Sequence, residues 1–493
     1  MSRCVIQLPL SLHATFRLLS WLVCFLGIPC AVGQPAVSIQ TAPNQSVRLE
    51  WDNGTGLFIP ESSTSLQPPV KWEALPVDPV QQGGRMSVTL FASDSTRFFR
   101  LRSREVRLTT LSESSPAPGE SGVAVTRETV LRFSGPLAPN TVIAPNQLFA
   151  EFGGRRLLSR SELSSDRKTA TLFYLENLPG NARVRVTLKG DGLRDQFDQL
   201  IDADGDGQPG GTALVDFDTL SLTPVAGTAV IGRVFASELI PGLSESLTLN
   251  NPLAGVTITL DGLEETVRAT TDAQGNFKLA PVPAGPFFVH VDGRTAAGSQ
   301  WPDGAYYPFV GKAWEAIAGR ENNLAAGTGE IYLPLILAGT LQPVSATSAT
   351  TISFAPGVTR KNPELAGVSI IVPANGLVSE NGTRGGRVGI APVSPDRLPE
   401  PLPPGLDFPL VITIQTDGPS NFDRPVPVRF PNLPDRETGE PLPPGAKSAL
   451  WSFNHDTGNW EIAGSMTVTA DGKFVETDPG VGVRQPGWNG SAP

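Results

Sequence analysis

The chain has 493 residues, too many for one ordinary hydrophobic core, and its 51 Gly and 47 Pro make up about a fifth of it. Short apolar runs between these turn residues predict many short strands, an all-β fold class, and favour sandwiches or barrels over helical folds. With 38 Lys and Arg against 48 Asp and Glu the net charge is −10, which excludes attraction to nucleic acid or to an anionic membrane surface.

Residues 1–33 carry Arg3 and Arg17, an apolar stretch at 18–28 and the small-residue run Ala31-Val32-Gly33, the pattern of a secretory signal peptide cut after Gly33. An apolar run of about 11 residues is shorter than the roughly 17–25 that a spanning helix needs, so no transmembrane helix is expected after cleavage. Cys4, Cys24 and Cys30 all lie in this leader, so the exported chain has no disulfide and must rely on cores, hydrogen bonds or metal ions. Pro29 beside Cys30, and Trp21 three residues before Cys24, argue against a lipid-bearing cysteine. Losing Arg3 and Arg17 with no acid moves the net charge from −10 to −12. The expected location is secreted or at the cell surface.

The stretch 34–103 alternates apolar and polar residues at 47–51, 70–72, 87–91 and 98–101, predicting four strands of a small β module. Its closing phrase "RFFRLRS" after two tryptophans resembles small repeat modules of large exported bacterial proteins.

The next module, 104–223, opens with "SPAPGESGVAVTRETVLRFSGPLAPNTV", continues through "SSDRKTATLFYLENLPGNARVRVTLKGDGLRD" and ends on "GTALVDFDTL". It resembles the bacterial Ig-like family, which implies a β-sandwich. Apolar alternation at 130–133, 170–174 and 184–188 independently supplies strands for one. Inside it, Asp202, Asp204 and Asp206 stand at alternate positions of "DADGDG". Three carboxylates on a Gly-bent loop can wrap a hard cation in oxygen ligands, so Ca²⁺ is the candidate cofactor, with Asp198 as a further ligand. Ala213 stands where an EF-hand would place its closing Glu, so this is an isolated loop. The plainer alternative is a solvated turn rich in Asp and Gly for backbone reasons.

The module at 224–294 contains "VIGRVF" and "NPLAGVTITLDGLEETVRATTDAQGNFKLAPVPAGPFFVHVDG". It resembles the carboxypeptidase-regulatory-like or collagen-adhesin B-type sandwich. Val256, Ile258 and Leu260 alternate on one strand, and 272–275 is a tight turn into Phe277 and Leu279. Some adhesin relatives cross-link a first-strand Lys, but the first strand here holds Arg233 and no Lys, so no such bond is expected.

Residues 295–348 read as a connector with room for a strand pair. Trp301, Tyr306, Tyr307 and Trp314 cluster in it, either as a sugar platform or, the reading favoured, packed between modules. The last module, 349–493, holds "GVSIIVPANGLVSENGTRGGRVGIAPVSPDRLPEPLPPG" and "ALWSFNHDTGNWEIAG" and resembles a ZU5-like sandwich.

His290 reads as a strand residue and His455 as part of a hairpin turn; neither has a zinc-ligand spacing around it. No nucleophile elbow, phosphate loop or dinucleotide fingerprint occurs. The sequence therefore predicts tandem β-sandwich modules after a signal peptide, forming a non-enzymatic scaffold or adhesion protein, with an extracellular protein or glycan as partner. An extracellular carbohydrate-binding protein, or the front portion of a larger exported repeat protein, are the alternatives.

Overall fold

Period-two alternation becomes paired strands almost throughout the computed structural model, whose only α-helix among the described residues is Pro356–Lys361. The structure describes 6–8 and 37–492 except 43–45, 53–57, 76, 78, 83–84, 92–96, 104–107, 239, 242–247, 299–300, 325–329, 380, 399, 419 and 436–437. The leader therefore lies outside the described residues apart from 6–8. Among those described, no helix is long and apolar enough to cross a membrane. The chain divides into two compact units, one formed by Met1–Leu108 with Phe197–Gln199, the other by the remainder.

In the first unit two four-stranded sheets are present. One holds Ser38–Ala42, Ser46–Asp52, Arg85–Phe91 and Val80–Gln82; Val47, Leu49 and Trp51 alternate into its core with Val88 and Leu90. The other orders Ile6–Leu8, Arg97–Ser103, Phe58–Ser63 and Glu73–Ala74, so a cut after Gly33 would remove its first strand. Buried Glu61 is held by Arg100 at 2.6 Å and Arg102 at 2.6 Å. The strand expected at 70–72 does not form; pairing begins at Glu73, after a bend at 67–69 in which Pro68 and Pro69 have no N–H to give a ladder. Trp72 instead lies under the Arg100 guanidinium, 4.4 Å from the ring centre.

The second unit begins with a two-sheet sandwich. One sheet orders Ser121–Val123, Thr212–Thr219, Arg183–Lys189, Leu148–Phe152 and Arg155–Arg156; the other orders Ser159–Leu163, Thr169–Tyr174, Thr129–Phe133 and Leu111–Ser115. Leu131, Leu172, Val184, Val186, Val215 and Phe217 meet between them. On the outer face Arg183 pairs Asp218 at 2.8 Å and Arg185 pairs Asp216 at 2.7 Å, exposed cross-strand pairs that contribute little stability but mark the solvent side.

The following sandwich sets Asn276–Leu279, Ala229–Ala236 and Glu321–Asn323 in one sheet, with Glu330–Leu333 pairing parallel to Ala229–Ala236. Its other sheet orders Arg268–Thr270, Thr257–Leu260, Gly285–Asp292 and Phe309–Ala316. Three of these strands come from the 295–348 stretch, so the sandwich begun at 224–294 is completed by what reads in sequence as a connector. The turn at 272–275 closes as expected: the Asp272 carboxylate accepts N–H bonds from Gln274 at 2.9 Å and Asn276 at 2.8 Å.

The last module is built around a ten-stranded sheet. Its Gly487–Ala492 strand is buried along its whole length and pairs with both Val411–Thr416 and Lys447–Asn454. Glycine is required there by close approach, since a Cβ on Gly490 would sit 2.7 Å from the Phe408 ring. The modules do not keep separate cores. Phe408, Phe453, Trp460 and Trp488 of the last join Val256, Val289 and Val310 of the middle sandwich in one cluster, and Phe288 packs into the core of the first.

Candidate metal centre in the acidic loop

The segment that carries Asp202, Asp204 and Asp206 runs between Arg183–Lys189 and Thr212–Thr219, at the end of the first sandwich of the second unit. Asp202 is buried and anchored through its N–H to the Thr109 carbonyl at 2.9 Å. Its two carboxylate oxygens accept the N–H groups of Gly205 at 2.7 Å and Gly207 at 2.9 Å. The Asp204 carboxylate accepts Thr212 N–H at 3.1 Å, and that of Asp206 accepts Gln208 N–H at 2.7 Å. Gly211 has a φ of +76°, and a Cβ there would collide with the Asp204 carboxylate.

These turns bring one oxygen from each of the three carboxylates within 4.8 Å of the others. The hydrogen bonds account for the loop's path. The convergence of three negative charges is what a backbone turn does not need, and like-charge crowding disfavours it without a cation. The donor set is all oxygen, the kind Ca²⁺ takes, and its usual 6–8 ligands leave places for backbone carbonyls and water. Asp198, in the left-handed region at φ +61°, belongs to the other compact unit.

A second cluster escaped the sequence reading. Asp261 is fully buried, and His290 on Gly285–Asp292 lies 3.2 Å from it and 3.5 Å from Glu264. Burial opposes a charge on His290, but the hydrogen bonds and charges of Asp261 and Glu264 outweigh it and lift the imidazole to about 9. Nothing in the sequence brought these residues together; strand register in the structure sets His290 opposite Thr259, two residues before Asp261. His455 is half-buried, its Nδ1 2.8 Å from the Gly311 carbonyl, and desolvation pushes its imidazole down. Of the connector aromatics, Tyr307 is buried with its hydroxyl donating to Glu238, Trp301 meets it edge-on at 5.2 Å, and the Lys312 ammonium lies 3.7 Å from the Trp314 ring centre; Trp301, Tyr306 and Trp314 are half-buried.

Residues 106–219 match the bacterial Ig-like domain family, bearing out the resemblance read from that stretch. The chain is a multi-module β-sandwich protein. No curated protein matches it. Among solved structures it is similar to the N-terminal part of the bacterial S-layer protein SbsC, with 14% identity, a TM-score of 0.19 and 44% of each chain covered. A native alpha-2-macroglobulin from Escherichia coli gives 12% identity and a TM-score of 0.19, covering 78% of this chain and 96% of that one. The Bacillus cereus major pilin subunit BcpA gives 9% identity and a TM-score of 0.13, covering 57% and 94%. The chain thus spans less than half of the S-layer structure, and overlaps this slight carry no argument about its function.

Proposed function

We propose that this protein is a non-enzymatic secreted or cell-surface scaffold whose Ig-like module and two following sandwiches act as one stiff arm, with the acidic loop as a calcium site. The observation that carries the reading is the set of buried polar clamps across module boundaries. Asp261 of the middle sandwich accepts Val125 N–H at 2.7 Å and Thr126 hydroxyl at 2.5 Å from the Ig-like module. Asp423 of the last module accepts Ser165 N–H at 2.9 Å from the Ig-like module, and Arg127 pairs with Asp456 at 3.1 Å. Buried charges tolerate little displacement, because separating a pair strands a desolvated ion. Modules joined in this way resist the hinge motion expected across ordinary inter-domain interfaces.

Two measurements test the reading. Protease added to intact cells expressing the full chain with an epitope tag should remove the tag; a tag protected until lysis overturns surface exposure. Calcium should raise the thermal midpoint of the purified chain by mass action, and Asp204→Ala should abolish that rise. A calcium response absent from the wild type would reduce the loop to a turn and leave the scaffold reading resting on the clamps.

A further inference from the structure

We propose that Asp261, Glu264 and His290 form a divalent transition-metal site, best matched to Zn²⁺, at the seam between the Ig-like module and the middle sandwich. The ligand atoms already stand at coordination spacing. His290 Nε2 is 3.2 Å from Asp261 Oδ1 and 3.5 Å from Glu264 Oε1, and all three atoms lie within 4.8 Å of one another. Two bonds of about 2.0–2.1 Å at a tetrahedral angle separate their ligand atoms by about 3.4 Å. An imidazole beside two carboxylates suits zinc and not Ca²⁺, which takes oxygen.

The two carboxylate ligands are oriented by hydrogen bonds from outside. Val125 N–H and Thr126 hydroxyl hold Asp261, and Gly262 N–H holds Glu264 at 2.8 Å. The Phe288 and Phe309 rings, at 5.4 and 5.2 Å, fix the plane of His290. Glu264 is 39% exposed and opens the trio to solvent, leaving a fourth position for water.

A bound Zn²⁺ would neutralise two carboxylates that meet where Asp261 is 0% exposed.

The test uses the full chain stripped with EDTA and titrated with ZnCl₂ by calorimetry, alongside thermal unfolding. One zinc per chain is expected at this site, with a raised thermal midpoint. Glu264→Gln, at a side chain 39% exposed, and His290→Gln should each weaken zinc at least about tenfold. Asp204→Ala should leave zinc binding intact, which separates this site from the calcium loop. Absence of zinc binding, or affinity unchanged in Glu264→Gln, overturns the proposal; if His290→Gln does not fold, Glu264→Gln alone decides.

Discussion

Asp423 gives the sharpest test of the stiff-arm reasoning. Its carboxylate is 2% exposed and accepts Ser165 N–H at 2.9 Å, the Ser165 hydroxyl, and an Arg384 guanidinium N–H at 2.9 Å, while Arg384 also donates to the Leu163 carbonyl at 3.2 Å. Asp423→Ala removes the three charge-assisted bonds that its carboxylate accepts and leaves the Arg384–Leu163 bond in place. Breaking a buried pair costs about 3–5 kcal/mol, and the loss should fall near the lower bound, because Arg384 is 28% exposed and regains water. Guanidinium unfolding reads the effect. All tryptophans lie outside 104–223, so fluorescence follows the other modules while far-UV circular dichroism follows every sheet. In the wild type the two signals should coincide for the second unit; in Asp423→Ala the Ig-like module should melt separately. A double-mutant cycle with Arg384→Ala should give a coupling of at least about 1 kcal/mol. A total loss below about 1 kcal/mol, or no coupling, would refute the claim that this clamp joins the modules.

Three further outcomes follow from individual residues. Gly211→Ala forces a Cβ against the Asp204 carboxylate at a φ of +76° and should cost about 1–2 kcal/mol by chemical denaturation, with a weaker calcium response; an unchanged midpoint contradicts the loop geometry. Tyr307→Phe leaves the Glu238 carboxyl, already raised by burial, without its hydroxyl donor, and should cost about 1–3 kcal/mol; equal stability would show that the pair is dispensable. Asp478 accepts from Lys447, Ser465 and Thr467 and is held down at about 2, so its contribution is complete above about pH 4 and lost as pH falls toward 2. Solvent screening limits that contribution to under about 1 kcal/mol, and Asp478→Asn should flatten this acid limb of the stability curve; a limb that stays equally steep assigns the effect elsewhere.

The acidic loop was legible because Asp202, Asp204 and Asp206 are brought together by turns closed within ten residues, through Gly205, Gly207 and Thr212. The trio of Asp261, Glu264 and His290 was not, because two of its ligands flank a turn and the third arrives on a partner strand. Alternation at 70–72 predicted a strand, and its true place, Glu73–Ala74, emerged only once pairing was seen.

Where alternation is regular the sequence by itself determined the strand and the face it buries, as at Val47, Leu49 and Trp51 or Val256, Ile258 and Leu260, since side-chain alternation is a property of the local backbone. Only the tertiary structure decided which strands are neighbours. Glu330–Leu333 lies parallel to Ala229–Ala236, and the Gly-, Ser- and Asn-rich Gly487–Ala492 runs through a buried sheet interior that its composition does not favour. It also decided that three modules share cores and charged clamps, because such contacts depend on surfaces that exist only after each sheet has formed.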